Sequence, residues 1–289
     1  MYTSLDDWYS WNYNNQQFQT TYKPYIQHVG TFKEELIKAA SSIIDQFGND
    51  TSILFSGGSE SDLMLRSFLA IKSKPNVYIV RYENDYNLYD VSYAVTICSM
   101  LNVDYKIIDF NLTHFFENDF VSVSEIAEID RPRALPYCKI LELIDGVPVF
   151  GRGEPNPIKT SNGWIQRCNE YDVGRIKYAK AINKPAIAEW FKWTPGLVIS
   201  YMNLNWFNNL INDKYNVTDA STTKMTGYKE AYPELIERNK KTGFEQIDSL
   251  INEADMYLYN KNNGYLHRAT HDRNVNDWYF KITGKNITI

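Results

Sequence analysis

The clearest periodic pattern in the chain is an amphipathic helix near its start. Thr31-Phe-Lys-Glu34 is a capping box, in which the Thr and Glu side chains satisfy free amides at the start of a helix. Apolar residues then recur on one helical face, at Phe32, Leu36, Ala39, Ile43 and Phe47. Gly48 is a typical C-terminal stop. We therefore predict a helix between Thr31 and Gly48 that leads directly into the next element.

Four short apolar runs are typical of buried strands. They lie at residues 53–55, 77–80, 105–108 and 147–150. Helical patterns separate them: one carries apolar residues from Leu63 to Leu69, and another is expected to begin with Asp90 as its N-cap. Strands that alternate with helices predict βαβ units and an α/β fold with a mostly parallel sheet.

The pattern changes after residue 157. Helical patterns occupy three later stretches, at residues 172–215, 228–239 and 245–258. The aromatic-rich residues 1–29 lack a clear period, and we expect them to pack over the domain. We predict an α/β part at residues 1–157 and a helical part at residues 158–289. The two should share an interface, because no obvious linker separates them.

The segment between the first strand and its helix carries candidate chemistry. It is Ser56-Gly-Gly-Ser-Glu-Ser-Asp62. A strand, a glycine turn and a helix direct backbone N–H groups and the positive end of the helix dipole at an anion. The glycines let the backbone come close to a ligand, and the hydroxyls of Ser56, Ser59 and Ser61 add donors. Gly151-Arg-Gly-Glu154 follows the fourth strand, at the edge where parallel sheets bind their ligands.

The composition narrows the class of protein. The chain has 289 residues and a net charge of −5. A nucleic-acid partner would require a basic surface, so we do not expect this protein to bind nucleic acid. Its three cysteines form no C-x-x-C pair, so we expect reduced thiols. Because no secretory leader and no membrane-length apolar run is evident, we expect a cytoplasmic protein without membrane association.

The glycine segment resembles the pyrophosphate loop S-G-G-x-D-S of the PP-loop ATP pyrophosphatases. Four of its positions match, and Glu60 stands where the family usually has Asp. The resemblance implies a Rossmann-like sheet of the adenine nucleotide alpha hydrolase type and cleavage of ATP between its α- and β-phosphates. The nucleotide-binding residues that it implies are Ser56, Gly57, Gly58, Ser59, Glu60, Ser61, Gly151 and Gly153.

A second segment, far downstream, resembles the C-terminal signature of asparagine synthetases and β-lactam synthetases. In that signature a Lys precedes a Pro, and an Arg, a Lys and Gly-Phe follow. The matching residues here are Lys224, Pro233, Arg238, Lys240 or Lys241, and Gly243-Phe244. One extra residue lies between Arg238 and Gly243, so either lysine could hold the family's catalytic position. The two segments occur in the family's order, and the likeness covers roughly residues 50–245.

The resemblance implies an ATP-dependent amide-forming ligase. Such enzymes activate a carboxylate as an acyl-adenylate, release pyrophosphate, and let ammonia or another amine displace AMP. ATP and Mg²⁺ would be required, with Glu154 as the candidate metal ligand. The candidate catalytic residues are Lys240, Lys241, Arg238 and Lys224. Only about fifty residues precede the glycine loop, so we expect no glutaminase domain, and ammonia, an amine or a separate amidotransferase would supply the nitrogen.

Two other functions remain open at this point. The first is a tRNA-modifying PP-loop enzyme of the thiolation type, which would need a reactive cysteine pair; Cys138 and Cys168 flank the fourth strand. The second is a non-catalytic nucleotide-binding protein, since Glu60 alters the loop. Arg131 and Arg133 precede the fourth strand and are expected either at the pocket or on a plain surface loop.

Overall fold

The computed structural model describes residues 8–14, 17–169, 171–238, 241–261 and 270–287. The strands are β1 (Tyr9–Asn14), β2 (Gln17–Tyr22), β3 (Thr51–Leu54), β4 (Asn76–Tyr82), β5 (Lys106–Phe110), β6 (Val147–Phe150), β7 (Pro157–Thr160), β8 (Gly163–Asn169) and β9 (Thr270–Asn274). The helices of the first half are α1 (Phe32–Phe47), α2 (Ser59–Ala70), α3 (Leu88–Met100), α4 (Leu112–His114), α5 (Phe120–Ala127) and α6 (Pro136–Ile140). Those of the second half are α7 (Tyr171–Ala181), α8 (Pro195–Met202), α9 (Asn205–Ile211), α10 (Lys224–Ala231), α11 (Asp248–Lys261) and α12 (Val275–Thr283).

A parallel sheet of four strands, in the order β5-β4-β3-β6, forms the centre of the molecule. Ile53 of β3 pairs with Val77 on one side and with Val149 on the other, and all four residues of β3 are buried. The α/β fold class predicted from the sequence is therefore confirmed. Because β3 lies inside the sheet, the glycine segment at its carboxyl end lies between the ends of two neighbouring strands.

The helix α1 is confirmed with the cap that the sequence predicts. The Thr31 side chain accepts a hydrogen bond from the Glu34 amide, and the Glu34 side chain accepts one from the Thr31 amide. Its buried face includes Leu36, Ala39 and Ile43, and the helix ends at Gly48, as predicted. This packing fixes the chain directly ahead of β3.

Two local predictions were wrong, and one sheet was not predicted. Asp90 does not cap α3, because the helix already begins at Leu88 and Asn87 occupies the cap position. The helix predicted at residues 228–239 is instead α10, which ends at Ala231, since the residue before Pro233 disfavours helical geometry. The strands β7, β8 and β9 form an antiparallel sheet that the sequence analysis did not predict.

Residues from both predicted parts contribute to one apolar core. Ile53 of the central sheet belongs to the same buried cluster as Trp190 and Trp206 of the second half. The N-terminal segment packs onto this core, as expected: Trp8 is buried and its indole N–H donates to the Lys192 carbonyl at 3.0 Å. The division at residue 157 stays a prediction. Within the described residues, no helix has the length and apolar character needed to cross a membrane.

Candidate active site at the carboxyl end of the parallel sheet

The glycine segment forms a tight turn from β3 into α2. Gly57 has φ +65°, and a Cβ at this position would lie 2.8 Å from the backbone nitrogen of Ala94. Only glycine fits this approach without strain. Gly58 is the N-cap residue of α2, so the first amides of a 12-residue helix open toward the turn. Ser61 donates to the Gly58 carbonyl at 2.9 Å and lies 3.2 Å from the Ser56 hydroxyl, which ties the turn to the first helical residues.

The downstream segment that resembles the synthetase signature contacts this turn through Arg238. Its Nη2 donates to the Ser56 carbonyl at 3.0 Å, and its Nε donates to the Gly57 carbonyl at 3.1 Å. Its Nη1 donates to Asp90 Oδ1 of α3 at 2.5 Å, and both side chains are at least nine-tenths buried. Arg238 therefore joins three elements: the glycine turn, α3 and the downstream segment. We call this contact the Asp90–Arg238 clasp.

Two further residues hold the same segment against the sheet. Asp90 Oδ1 also accepts the Lys241 amide at 3.1 Å. Gly243 has φ +84°, and a Cβ there would lie 2.9 Å from the carbonyl carbon of Tyr86. The Gly-Phe pair of the predicted signature is thus a docking point, because Gly243 packs on the backbone before α3 and Phe244 is buried beside the Tyr82 ring.

Of the two candidate catalytic lysines, the structure describes only Lys241. Lys240 lies outside the described residues. The Lys241 ammonium lies 5.3 Å from the centroid of the Tyr89 ring, and Lys241 is not among the residues that line the cavity described below. In this conformation Lys241 contributes its backbone amide to the clasp.

The loop after β6 meets the first residues of α2, directly after the glycine turn. A Cβ at Gly151 would lie 3.0 Å from the Glu60 carbonyl carbon, so the two loops are in direct contact. Lys224, the first residue of α10, forms ion pairs with Glu60 and, at 2.9 Å, with Glu154. Burial alone would lower the pKa of the Lys224 ammonium, but the two carboxylates outweigh it and raise that pKa above its ordinary value. Lys224 is therefore a cation at any physiological pH.

The two loops and the downstream segment enclose one large cavity of about 940 Å³. The predicted residues that line it are Ser56, Gly58, Ser59, Glu60, Ser61, Gly151, Gly153, Glu154, Lys224 and Arg238. Its wall also contains the buried pair of Glu189 and Lys192, whose charged atoms lie 2.6 Å apart. Gly153 packs against this pair, since a Cβ there would lie 2.8 Å from the Glu189 Cβ.

The cavity also has an arginine-rich lining that the sequence analysis largely missed. Arg131 lines the cavity, whereas Arg133 forms an exposed ion pair with Asp248 at 3.1 Å. Three more arginines line the cavity, at Arg152, Arg167 and Arg175. Arg152 lies in the loop Gly151–Glu154 that the sequence analysis named, whereas Arg167 in β8 and Arg175 in α7 belong to no predicted motif, so only the tertiary fold could place these two at the cavity.

The predicted metal position has two carboxylates rather than one. Oxygens of Glu60 and Glu154 both reach the Lys224 ammonium, so they converge on a single point where a cation is already held. Within the described ranges, no group of three or more His, Cys, Asp or Glu residues is arranged to hold a metal. Two carboxylates fit Mg²⁺ only if phosphate oxygens and water complete its octahedral shell, which is how Mg²⁺ commonly binds at nucleotide sites.

The cysteines do not form a reactive pair. Cys98, Cys138 and Cys168 are all buried free thiols, and none of them lines the cavity. Burial raises the pKa of the Cys98 thiol to about 11 and that of the Cys138 thiol to about 12. Thiolate nucleophiles need the opposite environment, with a lowered pKa and access to solvent.

Comparison with known proteins gives only remote likenesses. No protein-family model matches the chain, and no curated protein matches its sequence. An NMN synthetase from Francisella tularensis is similar at 11% identity and a TM-score of 0.32, over 77% of this chain and 92% of that one. An ammonia-dependent NAD synthetase from Campylobacter jejuni is similar at 13% identity and a TM-score of 0.33, over 78% and 94%. With TM-scores this low, these likenesses carry no argument about what this chain does.

Proposed function

We propose that the chain is an ATP-dependent carbon–nitrogen ligase of the asparagine-synthetase-like kind, which forms AMP and pyrophosphate. The observation that carries this proposal is the contact of Arg238 with the Ser56 and Gly57 carbonyls. It brings together, at one cavity, the two separate segments from which the ligase was predicted. The two similar structures are named as synthetases, which agrees with this class of reaction but adds no weight.

The clasp suggests how the turn is prepared for a phosphate. In a trans peptide the C=O and the N–H point in opposite directions. No cis peptide bond occurs in the described residues. Because Arg238 holds the Ser56 and Gly57 carbonyls, the following amides of Gly57 and Gly58 face away from the guanidinium. The Gly57 amide is held in this orientation, whereas the Gly58 amide donates to the Ser56 hydroxyl at 3.3 Å and would exchange that partner for an oxygen of a bound phosphoryl group.

The reaction would proceed in two steps whose atoms balance. A carboxylate oxygen of the acid attacks the α-phosphorus of ATP, and the bond to the β-phosphate oxygen breaks, which releases pyrophosphate. An amine nitrogen then attacks the acyl carbon, the bond to the AMP oxygen breaks, and the amine gives up a proton. The carboxylate oxygen that attacked thus leaves with AMP. Ammonia, a primary amine or a separate amidotransferase would supply the nitrogen.

The residues around the cavity divide these tasks. Lys224, held by Glu60 and Glu154, is a fixed cation at the point where the two loops meet. Mg²⁺ would neutralise phosphate charge when bound, and Glu60 and Glu154 would supply its protein ligands. Lys240 and Lys241 remain the candidates for contact with the reacting centre, on the resemblance alone.

Pyrophosphate exchange tests the proposal. We expect labelled pyrophosphate to enter ATP only when a suitable acid is present, and we expect Gly57→Ala to reduce the exchange at least tenfold, since the new Cβ would collide with Ala94. Gly284→Ala is the matched control, because Gly284 has a similar φ of +69° but no atom within 4 Å of the added carbon. ATP binding without acid-dependent exchange, across a broad panel of acids, would favour a non-catalytic nucleotide-binding protein instead.

A further inference from the structure

Lys224 occupies the position that the proposed metal ion would need. Its ammonium lies between the carboxylates of Glu60 and Glu154, which the proposed function assigns as metal ligands. The three side chains are 14–23% exposed, and all of them line the cavity. One point cannot hold both an ammonium and a divalent cation, because like charges at such short range repel each other. Metal binding and the Lys224 ion pairs therefore exclude each other.

The two carboxylates determine where the Lys224 ammonium lies. Lys224 is the first residue of α10, at the end of the helix where the dipole disfavours a cation. Within the described part of the chain, the ion pairs of its ammonium are those to Glu60 and Glu154. Arg238 differs, because it also donates to two main-chain carbonyls of the glycine turn. A cation that takes the two carboxylates would thus release Lys224 and leave Arg238 in place.

The Lys224 side chain can change its partner without movement of its helix. A lysine carries its charge on a flexible four-carbon stem. The helix α10 is anchored behind it, since Tyr228 is fully buried and a Cβ at Gly227 would lie 2.9 Å from the Trp206 ring. Rotation about the side-chain bonds of Lys224 is therefore enough to vacate the point between the carboxylates.

We propose that Lys224 holds the place of the divalent cation until metal and nucleotide bind together. This inference rests on the ligase proposed above, in which Glu60 and Glu154 supply the protein ligands of the metal. Without nucleotide, the ammonium keeps the two carboxylates paired and excludes free metal from them. With nucleotide, phosphate oxygens can accept the released ammonium and complete the shell of the metal, so metal and nucleotide should each strengthen the binding of the other.

Binding of Mn²⁺ in the absence of nucleotide, followed by electron paramagnetic resonance, tests this proposal. Carboxylates bind Mn²⁺ as well as Mg²⁺. We expect Lys224→Met to bind Mn²⁺ at least tenfold more tightly than the wild type, because the competing ammonium is gone. The double variant Lys224→Met/Glu154→Gln should lose this gain, which would locate the ion at the carboxylates. Equal affinity in Lys224→Met and the wild type would overturn the proposal.

The same helix offers a matched control in Lys229. This residue is exposed, lies in the last turn of α10 and is outside the cavity lining, so Lys229→Met should bind Mn²⁺ like the wild type. A gain in Lys229→Met as large as that in Lys224→Met would show a general effect of charge and would also overturn the proposal.

A measurement on the wild type decides the question if Lys224→Met does not fold. N-hydroxysuccinimide acetate modifies accessible amines, and mass spectrometry follows each lysine separately. Excess Mg²⁺ at constant ionic strength should speed the modification of Lys224 at least threefold and leave Lys229 unchanged, whereas an unchanged rate at Lys224 would contradict the proposal. Exclusion of metal by Lys224 without pyrophosphate exchange would uphold the role of Lys224 and reject the ligase. Pyrophosphate exchange with equal metal affinities would do the reverse.

Discussion

Replacing Asp90 by Asn tests the clasp on which the proposed site depends. The substitution keeps the shape of the side chain but removes the charge that faces Arg238 at 2.5 Å and that accepts the Lys241 amide at 3.1 Å. Removing one partner of a fully buried ion pair costs about 3–5 kcal/mol. Arg238 retains its two bonds to loop carbonyls, so we expect a loss of about 2–3 kcal/mol, in the range of hydrogen bonds to charged groups.

We expect part of this lost free energy to appear as weaker binding of ATP. Each 1.4 kcal/mol corresponds to a tenfold change in a binding constant, so a loss of about 2–3 kcal/mol could weaken ATP binding by up to about 30- to 140-fold. Part of the energy will appear as lower global stability instead. We therefore expect calorimetry to show ATP binding at least tenfold weaker in Asp90→Asn than in the wild type.

The chain offers a matched control in Asp109. Its carboxylate faces Arg81 at 2.6 Å, almost the same distance as in the clasp, but the two side chains are 69% and 40% exposed. Exposed ion pairs contribute little to stability, and Asp109 lies outside the cavity lining, so Asp109→Asn should bind ATP like the wild type. The reasoning would be refuted if Asp90→Asn kept wild-type affinity or if Asp109→Asn lost as much.

Three further predictions follow from charge and burial. In Lys224→Met the Glu60 and Glu154 carboxylates lose the cation that lies between them, so the free energy of unfolding should fall by about 3–5 kcal/mol relative to the wild type. Thermal unfolding at pH 7 checks it, and a wild-type melting temperature in the variant would contradict it. Burial raises the pKa of Glu83, but hydrogen bonds from the Thr113 side chain and from the Thr113 and Leu112 amides outweigh it and lower that pKa below its ordinary value. The stability advantage of the wild type over Glu83→Gln should thus be present at neutral pH and disappear as the pH falls through the lowered pKa. The three buried thiols should resist maleimide at pH 7 until urea unfolds the chain; rapid labelling of the native protein would reopen the thiolation hypothesis.

The central sheet could be predicted because its signals are local. Each strand is a short apolar run, and the strand, glycine turn and helix at residues 51–70 follow one another directly. The capping box at Thr31 fixes a helix start by contacts within four residues. For the same reason the residues of the glycine turn, and Gly151 beyond β6, could be chosen from the sequence alone.

The errors arose where tertiary contacts decide the outcome. An Asp ahead of an apolar run is also typical of a helix cap, so the sequence could not show that Asp90 instead accepts hydrogen bonds from Arg238 and Lys241. The strands β7 and β8 include Lys159 and Arg167, which obscure the apolar alternation of a half-buried strand. The error in the helix predicted at residues 228–239 could have been avoided, since Pro233 is itself a local signal that a helix ends.

The most direct test of the ligase follows one oxygen atom. An acid that supports pyrophosphate exchange is labelled with ¹⁸O in its carboxylate and supplied with ATP and an amine, and the phosphates are examined by ³¹P NMR. Attack of the carboxylate on the α-phosphorus predicts one ¹⁸O atom in the phosphate of AMP and none in pyrophosphate. Label in inorganic phosphate, with ADP as the other product, would contradict this chemistry.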